Sequence, residues 1–316
     1  MTTVERKIAV RRDGRRFDPS PGRVRYSRRW LGAAAAGGAL AALGVAAAGL
    51  PAAAGLGAAG AAGAAYALLH EPRSPRLERV TLRFAALPRG LDGLRIGHLS
   101  DMHLGMRFAA DNTRWAVAQM AREQPDLLAL TGDFVSYEHA IAALPEALAG
   151  LPRPRLGAYA VPGNHDHWEG VPEIGRALAK LGVQLLINQH QALAVGGATL
   201  VVAGVDDLWD GSPDLGATLA GAPEGAFTAL LAHCPDVADE AAARGVALQL
   251  SGHTHGGHMR LPWLGSFCLP RHGWRYPVGH AHVGAAQLYV SRGIGGLPLR
   301  VGCAPEATII TLRRGV

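Results

Sequence analysis

VALQLSGHTHGGH, residues 246–258, sets a short apolar run against three histidines spaced by glycine and threonine. The apolar half has the length of a buried strand and the polar half reads as loop, so the imidazoles gather where a strand ends. The same transition recurs along the chain. Residues 94–99 give way to SDMHLG, 127–130 to TGDF, 156–161 to PGNHDHW, and 227–232 to HCPD. Helical patterns lie between them: one capped by Asp111 or Asn112 and running to Glu123, one over 138–149 and one over 173–181. Strands are also expected at 183–187, 287–290 and 307–312, with a hairpin turning at Gly196-Gly197. This alternation is a βαβ rhythm, and in such sheets ligands bind where the strands' carboxyl ends converge.

The five clusters together carry a ligand set. Asp101 and His103 stand two apart on extended chain, as do His253 and His255, so each pair can point to one side. Asp133 adds a carboxylate, Asn164 a neutral amide oxygen and His233 a further imidazole. A mixed oxygen and nitrogen set without thiolate suits Mn, Fe or Zn in a reactive site, not a structural zinc site built on cysteine. Seven ligands exceed what one tetrahedral ion takes, whereas two ions sharing a carboxylate use them all.

In that order, D-x-H, G-D, G-N-H-D, H and G-H-x-H resemble the calcineurin-like metallophosphoesterases from about Val80 to the C-terminus. GLRIGHLSDMHLG, SGHTHGGHMRLP and YVSRGIGGLPLRVGCAPEATIITL resemble a branch of small bacterial phosphoesterases with an N-terminal export signal or membrane segment. The resemblance implies an α/β fold, a four-layer α/β/β/α sandwich of two mixed sheets flanked by helices. It also implies that Asp101, His103 and His255 hold one ion, that Asn164, His233 and His253 hold the second, and that Asp133 bridges them. His165 then corresponds to the catalytic histidine, and Asp166 would orient it or stabilise its charge. His258 departs from the branch, which commonly has glutamine there. Two divalent cations at ~3.5–4 Å stabilise the attacking and leaving oxygens of an in-line displacement, and they bring a bound water's pKa toward ~7. His165 as imidazolium would then serve the departing alkoxide.

The rest of the chain bounds partners and location. Of the formal +6 charge, residues 1–29 carry ten Lys/Arg against three Asp/Glu, leaving 21 basic and 22 acidic residues beyond them. Basicity is therefore a property of the tail, and nucleic-acid binding by the folded part is not expected. From Trp30 to Leu50 no side chain is polar, and the apolar composition resumes after Pro51 as far as Leu69. About 20 such residues can cross a bilayer. The Arg28-Arg29 pair before this run resembles a twin-arginine export signal, and Ala65-Tyr66-Ala67 fits a small-x-small cleavage site. The domains expected are a basic tail over 1–29, a signal or transmembrane region over 30–69, a linker over 70–79 and a phosphoesterase domain over 80–316. The location expected is the cytoplasmic membrane or its outer face. Three cysteines without a CxxC spacing make a disulfide framework unexpected.

Singly, each residue has a plainer reading. A strand-end aspartate such as Asp133 is commonly a turn or helix cap, and a lone histidine commonly a core or surface residue. His98 inside its strand reads as core. His139, His190, His272, His280 and His282 read as surface, while His167 and His258 stay open between supporting and substrate-facing roles. Arg260 and Arg292 could meet a phosphate or solvent, and Trp209, Trp263, Trp274 and Tyr276 read as packing or loop rims. Three functions compete: a dinuclear phosphomonoesterase or phosphodiesterase; a lipid-linked pyrophosphatase of the UDP-diacylglucosamine hydrolase type; and a membrane-tethered metal-binding protein without turnover. An apolar groove over residues 261–269 would favour the second.

Overall fold

Among the residues that the computed structural model describes, 54–315, the strands are β1 Arg76–Phe84, β2 Arg95–Leu99, β3 Leu127–Thr131, β4 Ala158–Val161, β5 Val183–Leu185, β6 Gln189–Val195, β7 Ala198–Gly204, β8 Phe227–Leu231, β9 Leu248–Ser251, β10 Arg260–Leu261, β11 Gly265–Ser266, β12 Gly279–Val283, β13 Ala286–Val290 and β14 Glu306–Arg314. One six-stranded sheet runs β1-β14-β2-β3-β4-β5 and the other β12-β13-β9-β8-β7-β6, with β10-β11 a separate hairpin. Both large sheets are mixed. In the first only β14 and β2 pair antiparallel; in the second the two edge pairs do. The inner strands β3 (LLALT) and β8 (FTALL) are buried along their whole length, as strands covered on both faces must be.

Three apolar clusters account for the layering. Leu82, Ile96, Leu127 and Val161 of the first sheet face Leu200, Phe227, Leu248 and Leu250 of the second and form the inter-sheet core. On the first sheet's outer face Leu128, Leu130 and Ile309 pack against Val117 and Met120 of the Ala109–Glu123 helix and Ile174 and Leu178 of the Val171–Lys180 helix. Val201, Ala203 and Leu230 do the same for the second sheet against Leu215, Val237 and Ala241. The result is helix, sheet, sheet, helix, and each helix is held mainly by its apolar face.

Local departures from the sequence reading have identifiable causes. Residues 76–79, read as linker, are the first part of β1, which pairs in parallel with β14 from Arg76↔Glu306 onward; the two prolines ahead of them masked the strand. The Ala109–Glu123 helix has no side-chain cap, and Asn112 turns inward to donate to the carbonyls of Pro72 and Ile294. The single helix expected over 138–149 is a 3-10 turn, Glu138–Ala143, followed by a short helix, Leu144–Ala147, with Pro145 in its first turn. Proline fits a helix start but not its interior.

The basic tail, Arg28-Arg29 and the Trp30 to Leu50 run lie outside the described residues. Residues 54–65 are helical and exposed, and lead through Tyr66–His70 into the Glu71–Arg73 turn. Among the described residues no helix is long and apolar enough to cross a membrane.

Candidate metal centre

All seven expected ligands sit just beyond the carboxyl ends of five strands, three from one sheet and two from the other. Asp101 and His103 follow β2, Asp133 follows β3, Asn164 follows β4, His233 follows β8, and His253 and His255 follow β9. Backbone bonds tie these loops together: the Asp101 amide donates to Gly132, His103 to Asp133 and Gly252 to His233. Five ligand positions adopt left-handed backbone, with φ of 52° at Asp101, 48° at His103, 54° at Asp133, 72° at His253 and 51° at His255. Such conformations cost roughly 1 kcal/mol or more each for a residue with a Cβ, although Asp and His tolerate them best.

The imidazoles are oriented by what their outer nitrogens reach. His233 donates from Nδ1 to the Thr131 carbonyl (2.7 Å) and His253 from Nε2 to the Arg271 carbonyl (2.6 Å). The remaining nitrogens, His233 Nε2 and His253 Nδ1, lie within hydrogen-bond distance of each other at 3.2 Å. On the other side His103 is held at Nδ1 by Ser136 Oγ (2.8 Å), and its Nε2 lies 3.1 Å from His255 Nε2 and 3.4 Å from Asp133 Oδ2. Asp133 Oδ2 is also 3.3 Å from His233 Nε2, so one carboxylate oxygen lies between both imidazole groups. Asn164 Oδ1 is buried and accepts no hydrogen bond from any described residue. A buried acceptor without a donor, beside converging imidazole nitrogens and a carboxylate, is the arrangement that cations satisfy.

His165 occupies the rim of this group. Its backbone N–H donates to Asp133 Oδ1 at 2.9 Å, and its ring stands edge-on to His103 (4.7 Å) and against Trp168 (4.4 Å). Nδ1 of His165 is buried without a partner among the described residues. Asp166 does not reach that ring. Its Oδ2 accepts from the amides of Asp133 (2.8 Å) and Gly163 (2.9 Å), and its Oδ1 from Phe134 (2.8 Å). As third residue of the Asn164–Glu169 helix, its side chain folds back over the helix start. It therefore fixes the Asp133 loop, and its hydrogen bonds go to backbone amides and not to the His165 ring.

Burial sets the protonation of the cluster. It lowers His103 to about 3 and His253 to about 4, keeping both neutral with lone pairs available. Burial would lower His233 too, but the Asp133 charge and hydrogen bond hold it well above its ordinary value. Asp133 is pushed up by burial and pulled further down by His233 and His165, so it is ionised. A carboxylate among imidazoles is a negative centre that a cation can share.

Residues 94–257 match the calcineurin-like phosphoesterase family. The chain belongs to that family. It is a metal-dependent phosphoric ester hydrolase, and its clustered Asp and His residues suit a dinuclear divalent site. Among similar proteins, an uncharacterised metallophosphoesterase of Bacillus subtilis, YkuE, is 35% identical over 256 residues, covering 78% of this chain and 89% of its own. The phosphodiesterase YaeI of Escherichia coli is 29% identical over 254 residues, covering 78% of this chain and 92% of its own. A Danio rerio protein described as a transmembrane protein with a metallophosphoesterase domain is 30% identical over 268 residues, covering 79% of this chain and 60% of its own.

The remaining residues of this phosphoesterase sort by what they touch. His98 is core, bonded to Thr131 Oγ1 at 2.8 Å. His258 is buried and stacks on His255 (4.6 Å, 19°). His167 pairs with Asp206 at 2.7 Å. Arg292 is not free for a phosphate: it pairs with Glu306 at 2.7 Å and with Glu78. Of the histidines read as surface, His139 stacks on Tyr137, His190 reaches the Thr218 carbonyl, and His280 and His282 lie on β12, with His280 bonded to Gln287. Tyr276 bonds to Asp239, and Trp209 stands edge-on to His253 at 5.7 Å.

Arg300 was missed by the sequence reading. Its side chain is fully buried and donates to the carbonyls of Arg292 (2.7 Å) and Cys303 (3.0 Å), with the guanidinium 3.2 Å from His255 Nδ1. Burial lowers it to about 10, so it remains charged at neutral pH. Ser136 and Trp168 were missed as well, because a lone serine or tryptophan carries no spacing signal.

Proposed function

We infer that the phosphoesterase hydrolyses phosphomonoesters or phosphodiesters at a two-cation centre, with Asp101, His103 and His255 on one ion, Asn164, His233 and His253 on the other, and Asp133 on both. The observation that carries this is the placement of Asp133 Oδ2 at 3.4 Å from His103 Nε2 and 3.3 Å from His233 Nε2. When bound, the two cations supply neutralisation of the phosphoester charge and a hydroxide near neutral pH. The chain's own residues do the rest. Ser136, Thr131 and Arg271 hold the imidazoles in the ligating orientation. Asn164 contributes an uncharged oxygen and so limits the negative charge facing an anionic substrate. His165, anchored through its backbone to Asp133, stands at the mouth to give a proton to the departing oxygen.

A diester preference is supported by the phosphodiesterase name of the Escherichia coli relative, and attachment to the membrane by the apolar Trp30 to Leu50 run and the transmembrane relative. Export through the twin-arginine route rests on Arg28-Arg29. A lipid-linked phosphoester or pyrophosphate as substrate is favoured by one feature, the exposed Trp263 and Leu264 beyond the GHTHGGH loop. The test is hydrolysis of a nitrophenyl phosphoester by the full chain, which should require Mn²⁺ or a similar ion and vanish in Asp133→Asn. Bound metal with no turnover over a broad phosphoester panel would instead indicate a tethered metal-binding protein.

A further inference from the structure

The stretch 261–269, where an apolar groove would favour a lipid-linked substrate, is built around a hairpin. This projecting hairpin, β10–β11, carries at its tip Trp263, fully exposed, and Leu264, 69% exposed. A soluble surface has no use for a bare tryptophan at a hairpin tip, and the amphipathic indole is the side chain most at home at a membrane interface.

What lies beside the hairpin identifies its occupant. Met259 bridges to Val301, and the Arg260 amide donates to the Val301 carbonyl at 2.7 Å. On the neighbouring residue the Arg300 amide donates to the Ala67 carbonyl at 2.9 Å, and the Glu71 carboxylate accepts from Gly302 and Cys303. The segment 300–303 thus joins the hairpin base to the end of the N-terminal apolar region, where Tyr66, Leu68 and Leu69 are exposed. Leu297, 52% exposed, extends the same surface and shares a small cavity lining with Pro72, Arg107 and Arg300.

Charge completes the pattern. Arg73 and Arg107 each lie over the Phe108 ring, at 5.5 and 4.6 Å from its centroid, Arg260 opens β10, and Arg271 follows the hairpin. All four are exposed, and none has a carboxylate within ion-pair distance among the described residues. An apolar tip flanked in sequence by the exposed Arg260 and Arg271, on a hairpin whose base is bonded through residues 300–303 to Ala67 and Glu71, matches an anionic lipid surface. The base of this hairpin is the GHTHGGH loop that carries His253 and His255.

We propose that this face docks on an anionic bilayer, with Trp263 and Leu264 entering the interface, so that the mouth of the metal centre opens at the level of the lipid phosphates. The substrate is then a phosphoester of a lipid in the same leaflet. That last step rests on the hydrolase reading above, while the docking does not.

The full chain, added to phosphatidylglycerol-containing vesicles with brominated acyl chains, separates the two. Bromine should quench a fraction of the tryptophan emission that is absent in Trp263→Phe, and Trp30 contributes equally to both. The ratio of vesicle-lipid turnover to nitrophenyl ester turnover should fall about tenfold or more in Trp263→Ser/Leu264→Asp, since burying one such side chain is worth a factor of that order. Equal quenching in wild type and Trp263→Phe overturns the docking. So does a dimer that Trp263→Ser/Leu264→Asp splits while quenching stays unchanged, because the occupant is then a second copy. Absence of nitrophenyl turnover with the quenching difference intact removes the hydrolase reading and leaves the docking.

Discussion

Replacing Asp166 separates two roles that sequence alone confuses. Its carboxylate has no exposed surface and accepts three backbone hydrogen bonds at 2.8, 2.8 and 2.9 Å. Asp166→Ala leaves three buried N–H groups unpaired, each costing about 1–3 kcal/mol, partly offset by the charge no longer buried. A net loss of about 4 kcal/mol corresponds to a melting temperature lower by about 8–16 °C for a domain of this size. The Asp133 amide is among the three, so the bridging carboxylate loosens and affinity for Mn²⁺ falls with stability. Thermal denaturation, metal titration and the pH profile of kcat together decide the matter. If Asp166 acts on the backbone, Asp166→Asn lowers stability and metal affinity while the profile keeps its shape at saturating metal. A variant as stable as wild type with a displaced profile would refute this reasoning and return Asp166 to the His165 ring.

Gly252→Ala should abolish folding or cost about 3 kcal/mol, because a Cβ there meets Ser100 Oγ at 1.9 Å and Asp101 Oδ2 at 2.1 Å; Gly57→Ala, with nothing within 4 Å, should be neutral by the same denaturation assay. Arg300→Met should lower stability by about 3 kcal/mol through its deserted carbonyls and weaken metal binding at His255, both read by calorimetry. The pair of His167 and Asp206 gives stability a pH window. His167 is raised above 6.5, against the lowering effect of burial, by its bond to Asp206, and Asp206 is lowered below 3.8, against the raising effect of burial, by the same bond. The contribution is complete below 6.5 and above 3.8, and it fades as pH rises through the elevated His167 value or falls through the depressed Asp206 value. His167→Gln should remove about 1.5 kcal/mol of that pH-dependent stability, read as a flatter melting-temperature profile.

Much of this was legible because the inner strands are apolar throughout and the expected ligands follow them directly. β2, β3, β8 and β9 end within two residues of where the apolar runs stop, and the ordered ligand types leave little choice of site. β1 was not legible: its sequence, RLERVTLRF, alternates charge on an edge, and only its pairing with the distant β14 makes it a strand. β12 was hidden for the same reason, as an edge strand carrying two histidines. Asp166 bonds backbone amides where an orienting partner of His165 was expected, because its residue type fits either role and only the direction of the side chain separates them. Arg300 and Ser136 act through contacts 45 and 33 positions away, which no local pattern encodes.

The left-handed backbone at Asp101, His103, Asp133, His253 and His255 has an evolutionary consequence. Glycine is the residue for which such angles are nearly free. Mutation toward glycine at these places would therefore release backbone strain while removing the side chains proposed to hold the cations. Descendants relieved of selection for the reaction would have an open route to forms that are quieter in chemistry and sturdier in fold.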